Sequence, residues 1–84
     1  MLMNRICFKV GTIRISVVAH EYAYCEPRKD DAEYTHVEVG LWSKPTPEMA
    51  EYADCDIKED GELTVYPYVP VEVLTRYMNW LINN

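Results

Sequence analysis

Glycine, cysteine and long apolar runs are scarce in this chain, and each shortage narrows what it can be. The three glycines, Gly11, Gly40 and Gly61, stand singly, so no glycine-rich loop is available to cradle a phosphate. The three cysteines, Cys7, Cys25 and Cys55, are odd in number and widely spaced. They form neither the dense, even framework of a small secreted domain nor a Cys-x-x-Cys clip for a metal. Free, buried thiols are the expectation. No apolar stretch approaches the ~20 residues of a membrane span. The opening Met1-Leu2-Met3-Asn4-Arg5 lacks the basic region, apolar stretch and cleavage site of a signal peptide, so a cytoplasmic location is expected.

What is present is a chain of 84 residues with 49% hydrophobic and 26% charged content, a globular composition rather than a disordered one. Residues 1–84 are expected to form a single domain whose stability is marginal at this size. The net charge of −6 is unevenly spread. Residues 1–20 hold Arg5, Lys9 and Arg14 and no acid, whereas residues 21–62 hold thirteen of the fourteen acids against Arg28, Lys29, Lys44 and Lys58. That balance disfavours direct binding of nucleic acid or of an anionic membrane, both of which call for a basic face.

Hydrophobic parity supplies the elements. Ile6, Phe8 and Val10 share one strand face, and beyond Gly11-Thr12 the apolar positions become Ile13, Ile15 and Val17. A straight strand cannot change parity, but a two-residue hairpin turn with glycine first can. The predicted register sets Val10 opposite Ile13, Phe8 opposite Ile15 and Ile6 opposite Val17, with the second strand running on toward Ala23. Glu26 to Glu33 reads as an exposed loop. Tyr34 to Trp42 reads as a third strand with Val37, Val39 and Leu41 inward. Thr46-Pro47-Glu48 is a helix start, and the helix is expected to run from Pro47 to Ala53. A second hairpin is predicted around Glu59-Asp60-Gly61, pairing Lys58 with Glu62, Ile57 with Leu63 and Cys55 with Val65 and ending at Tyr66-Pro67. From Pro70 to about Asn83 the pattern is helical. Val71, Val73, Leu74, Tyr77, Met78, Trp80, Leu81 and Ile82 cover a broad apolar arc with Leu74 and Leu81 at its centre. The fold class that follows is α+β: an antiparallel sheet of four to five strands, one short helix, and a C-terminal helix on one face.

Catalytic and metal patterns fail on inspection. His20-Glu21 starts like the zinc motif H-E-x-x-H, but position 24 is Tyr24 and the segment reads as strand. Asp54 to Gly61 resembles a calcium loop until Lys58 falls where a ligand belongs. His20 and Cys25 are separated by an odd number of positions, which on a strand turns them to opposite faces and defeats a nucleophile–base pair. No enzyme, metal site or cofactor is expected.

Two features remain. One is the acid run Glu48, Glu51, Asp54, Asp56, Glu59, Asp60 and Glu62. The other is a wealth of tyrosine, of which Tyr52 inside the acid run and Tyr66 and Tyr68, braced by Pro67 and Pro70, are candidate contact residues. Carboxylates raise a field that steers a basic partner, and tyrosine supplies contact area at low entropy cost. Glu48, Glu51, Tyr52, Asp54, Asp56, Glu59, Asp60, Tyr66 and Tyr68 are therefore the expected partner-binding residues, with Asp54 and Asp56 sharing a strand face. In size, acidity and lack of motifs the chain resembles the small inhibitor proteins that phages make against host nucleases, restriction or CRISPR systems, some of which are similar to nucleic acid in charge layout. The resemblance is one of class and implies no residue roles. It implies an inhibitor docking on a basic surface of a partner enzyme, in a host cytoplasm. The competing expectations are a homodimer through the C-terminal helix, using Leu74, Met78, Trp80 and Ile82, and a small enzyme or metal-binding protein.

Overall fold

A computed structural model describes residues 5–83 of the chain. It is an α+β arrangement in which one antiparallel sheet of strand order β1-β2-β3-β4 carries two helices. β1 (Arg5–Val10) and β2 (Ile13–Val18) form the predicted hairpin, with Val10 opposite Ile13, Phe8 opposite Ile15 and Ile6 opposite Val17. Gly11 takes φ +62, the left-handed value that the first position of this turn demands. β3 (His36–Leu41) pairs with β2 through Ile15–Leu41 and Val17–Val39.

The second predicted hairpin does not form. Residues 54–60 make turns and irregular backbone rather than a strand, so the sheet has four strands and the pairs Lys58–Glu62, Ile57–Leu63 and Cys55–Val65 are absent. Instead β4 (Thr64–Pro70) pairs with β3, because Thr64, Tyr66 and Val69 find an apolar face there that a solvent-exposed arm could not offer. The acidic segment lies along the outer edge of β4, where the Asp54 N–H donates to the Val65 carbonyl (3.0 Å) and the Lys58 N–H to Thr64 Oγ1 (3.0 Å).

Nor does the strand stop at Tyr66-Pro67. The register shifts from Val39–Tyr66 to Val37–Val69, a bulge that admits Pro67, which has no N–H to contribute to a ladder. Tyr68, at φ +52, turns its own N–H to the Tyr24 carbonyl (3.0 Å). β2 also ends earlier than expected, at Val18. His20 to Tyr24 are turns, and the buried Cys25 thiol donates to the His20 carbonyl (3.3 Å).

α1 is one turn, Pro47–Ala50, capped by Thr46 Oγ1 accepting from the Met49 N–H (3.4 Å). The expected continuation to Ala53 is made by the tighter i→i+3 bonds of Tyr52 to Met49 and Ala53 to Ala50. α2 (Val71–Asn83) packs on the face that carries Ile15, Val37, Val39, Leu41, Tyr66 and Val69. Its buried residues are Val73 and Tyr77, with Leu74, Met78 and Leu81 only half-buried. The helix is thus rotated from the expected arc centre, because the aromatic ring of Tyr77 fills more core than either leucine would. Trp80 and Ile82 stay exposed. The opposite sheet face carries Arg5, Cys7 and Lys9 beside Arg14 and Ser16. Of the thiols, only Cys25 is buried; Cys7 and Cys55 are exposed, and none is paired.

Candidate functional site

The acid run divides into carboxylates that the fold itself engages and carboxylates that it does not. Glu48, in the first turn of α1, receives Arg76 from α2 in a bidentate pair, Nη2 to Oε2 at 2.7 Å and Nε to Oε1 at 3.0 Å. The hydrogen-bonded guanidinium holds the Glu48 carboxyl below its usual range and raises Arg76 in return. Glu59 pairs with Lys44 (3.7 Å), and Asp60 Oδ1 accepts the Lys44 N–H (2.9 Å). These contacts tie α1 to α2 and close the 59–62 turn under Trp42, whose carbonyl accepts the Gly61 N–H (2.6 Å).

Glu51, Asp54, Asp56 and Glu62 are left. All four are exposed, and among the described residues no cation is paired with them. The first three follow one another over the C-terminal end of α1 and the edge-hugging segment, with half-buried Tyr52 rooted in the core between them, and Glu62 follows the 59–61 turn. The expectation that Asp54 and Asp56 share a strand face fails with the hairpin: residues 54–56 form a bend, and the Asp54 backbone bond to β4 holds that bend against the sheet.

The tyrosine candidates separate sharply. Tyr66 is 0% exposed and cannot meet a partner, so its assignment to the binding face is corrected: the Thr64, Tyr66 alternation turns it into the core. Tyr68 is 40% exposed and its ring lies 6.0 Å from that of Tyr24. Arg28 stands 5.9 Å from the Tyr24 ring, so the loop after β2 and the β4 bulge assemble an exposed aromatic pair beside a cation. Sequence reasoning missed this pairing, because the positive φ at Tyr68 has no signature in a tyrosine.

Comparison with protein-family models, curated proteins and solved structures finds no match.

Among the described residues no group of three or more His, Cys, Asp or Glu converges as a metal site, and no helix is long and apolar enough to cross a membrane. What the arrangement offers chemically is surface: a fixed acidic ledge at one edge of the sheet, and an aromatic pair at the β4 bulge.

Proposed function

We propose that this chain is a protein-binding module that docks on a basic surface of another protein through Glu51, Asp54 and Asp56, with Tyr52 beside them. The observation that carries the reading is the division of the acid run. Glu48, Glu59 and Asp60 are engaged in holding the fold together, whereas Glu51, Asp54 and Asp56 sit uncompensated along one stretch that the Asp54 N–H ties to the Val65 carbonyl of β4, with Glu62 uncompensated beyond the turn. Exposed like charges repel one another and bring the fold no stabilising contact; a basic partner would relieve that repulsion and be steered by it. A nucleic-acid-binding enzyme is the partner class favoured, since its site is basic and a fixed row of carboxylates can occupy the place of phosphates. The chain would then act as an inhibitor and not as an enzyme.

The test is made on a partner captured with the tagged protein. Association should slow as salt rises from about 50 to about 300 mM, because exposed charges are screened over roughly 8 Å at physiological ionic strength. The triple change Glu51→Gln, Asp54→Asn, Asp56→Asn should keep the fold and slow association several-fold, and an oligonucleotide should compete for the partner. A partner indifferent to salt and to the triple change removes this reading. It would favour instead the aromatic pair Tyr24 and Tyr68, whose support is the left-handed backbone at Tyr68: a bulky residue rarely adopts it without a role for the side chain so displayed.

A further inference from the structure

Two grooves adjoin at the tip of the β1–β2 hairpin, and they differ in character. The first, about 660 Å³, runs between the hairpin and α2, walled by Ile13, Trp80, Leu81 and Ile82. The second, about 490 Å³, opens toward the other sheet face and is lined by Lys9, Arg14 and Trp42. Thr12, Ile13, Ser43 and Asp60 line both, so one trough leads from an apolar end to a cationic end.

The cationic end is built against its own repulsion. Lys9 and Arg14 are directly opposite on neighbouring strands, an arrangement that destabilises a sheet when both charges have one sign. Arg14 lies 3.9 Å above the Trp42 ring, and among the described residues neither Lys9 nor Arg14 meets a carboxylate. The one acid among the lining residues, Asp60, accepts the backbone N–H of Lys44 with its Oδ1 (2.9 Å) and forms no ion pair with Lys9 or Arg14. At the junction the buried Ser43 Oγ lies beside the hydroxyl of Tyr77, a first-groove residue only 2% exposed, and the two interact with each other. Among the described residues neither hydroxyl meets a further partner.

We propose that this trough binds a single anionic amphiphile, an alkyl or acyl chain ending in a phosphate or carboxylate. The chain lies along Ile13, Trp80, Leu81 and Ile82. The head rests at the cationic end, where Lys9 and Arg14 neutralise its charge. The volume is in the range of small-molecule sites, and a largely apolar wall with a few convergent polar groups is their usual composition. This site is separate from the acidic ledge and stands or falls independently of it.

The experiment is isothermal titration of the protein, below the micellar concentration of each probe, with decyl phosphate, decanoate, decanol and decyltrimethylammonium. One-to-one binding is expected, with both anions at least about tenfold tighter than the ammonium and decanol between them. Lengthening the alkyl phosphate from octyl to decyl should tighten binding by up to about tenfold, the gain for two buried methylenes. Lys9→Gln with Arg14→Gln, which removes the like-charge opposition and so leaves the fold intact, should bring decyl phosphate down to the level of decanol. Ile82→Glu, at a residue 66% exposed, should weaken every probe. Equal or tighter binding of the ammonium, or indifference to both variants, would overturn the assignment. Binding to phosphatidylglycerol vesicles without binding of monomeric decyl phosphate would overturn it in favour of a lipid surface. Sedimentation showing a dimer that the Ile82→Glu change dissociates, with no probe bound, would overturn it in favour of a second copy of the chain.

Discussion

Replacing Tyr66 by Phe should make this protein more stable, although the residue is at the centre of the core. Tyr66 is fully buried, and among the described residues its hydroxyl meets no partner at full hydrogen-bond geometry. Burial pushes the phenol pKa above the ordinary value of 10.0; a weak hydrogen-bonding contact with the Thr64 hydroxyl works the other way, and Tyr77 adds to the rise. A buried hydroxyl stripped of water and not re-paired costs about 1–3 kcal/mol. Phe keeps the ring and removes that cost. The oxygen-sized gap it leaves is too small for water and forfeits a few van der Waals contacts, which offsets part of the gain. A net gain of about 1 kcal/mol is expected, seen as a rise in Tm of about 4–8 °C for a domain of this size. The advantage should widen in alkali. Because the folded-state pKa is the higher one, the stability linked to this proton is fully present below the unfolded value of 10.0 and is lost as pH climbs through the folded value. Thermal melts by circular dichroism from about pH 7 to about pH 11 therefore separate the two proteins most at the top of the range. A lower Tm for Tyr66→Phe at neutral pH would refute the reasoning, since it would mean that the hydroxyl has a partner worth more than its desolvation.

Two further outcomes follow from local geometry. Gly11→Ala forces a side chain onto φ +62, where nothing else is within 4 Å, so the cost is backbone strain alone, about 1 kcal/mol. Gly40→Ala would set its Cβ 3.0 Å from Leu63 Cδ1, the free end of a partly exposed side chain that can swing aside. It should cost less, and urea denaturation giving the opposite order would contradict both accounts. Glu48 is held below the ordinary carboxyl value of 4.5 by Arg76, so the stability of that pair is present above about 4.5 and fades as pH falls through the lower folded value. Arg76→Gln should shrink the stability difference between about pH 6 and about pH 3, and an unchanged acid limb by chemical denaturation would count against it.

The parts of the fold that could be read from the residues are those in which one local rule decides. The parity change across Gly11-Thr12 admits a single register, and the structure has it. The apolar run after Pro70 has helical period and becomes α2. Where two arrangements satisfy the same local rule, the sequence misled. Glu59-Asp60-Gly61 makes a turn either way, with Gly61 at φ +95, whether its flanks pair with each other or not. What decides is tertiary: β4 gains more by burying Thr64, Tyr66 and Val69 against β3 and α2 than by pairing with a polar arm. That same choice moved Tyr66 from the expected binding face into the core. Likewise the pairing of Glu48 with Arg76, 28 positions along the chain, is invisible until α1 and α2 are seen side by side, and it took one acid out of the expected docking run.

The two edges of the sheet are not alike, and that limits how copies of this chain can add to one another. Along β4 the Val65 carbonyl is taken by Asp54 and the Tyr68 N–H by Tyr24, with Pro67 between them offering no donor. Another strand arriving there finds a broken ladder. Among the described residues nothing comparable lies along β1, where Ile6 is 65% exposed and one run of backbone donors and acceptors faces outward. Strand addition is therefore one-sided. Two molecules joined β1 to β1 would present only the interrupted β4 edges to a third, which works against extending the sheet further.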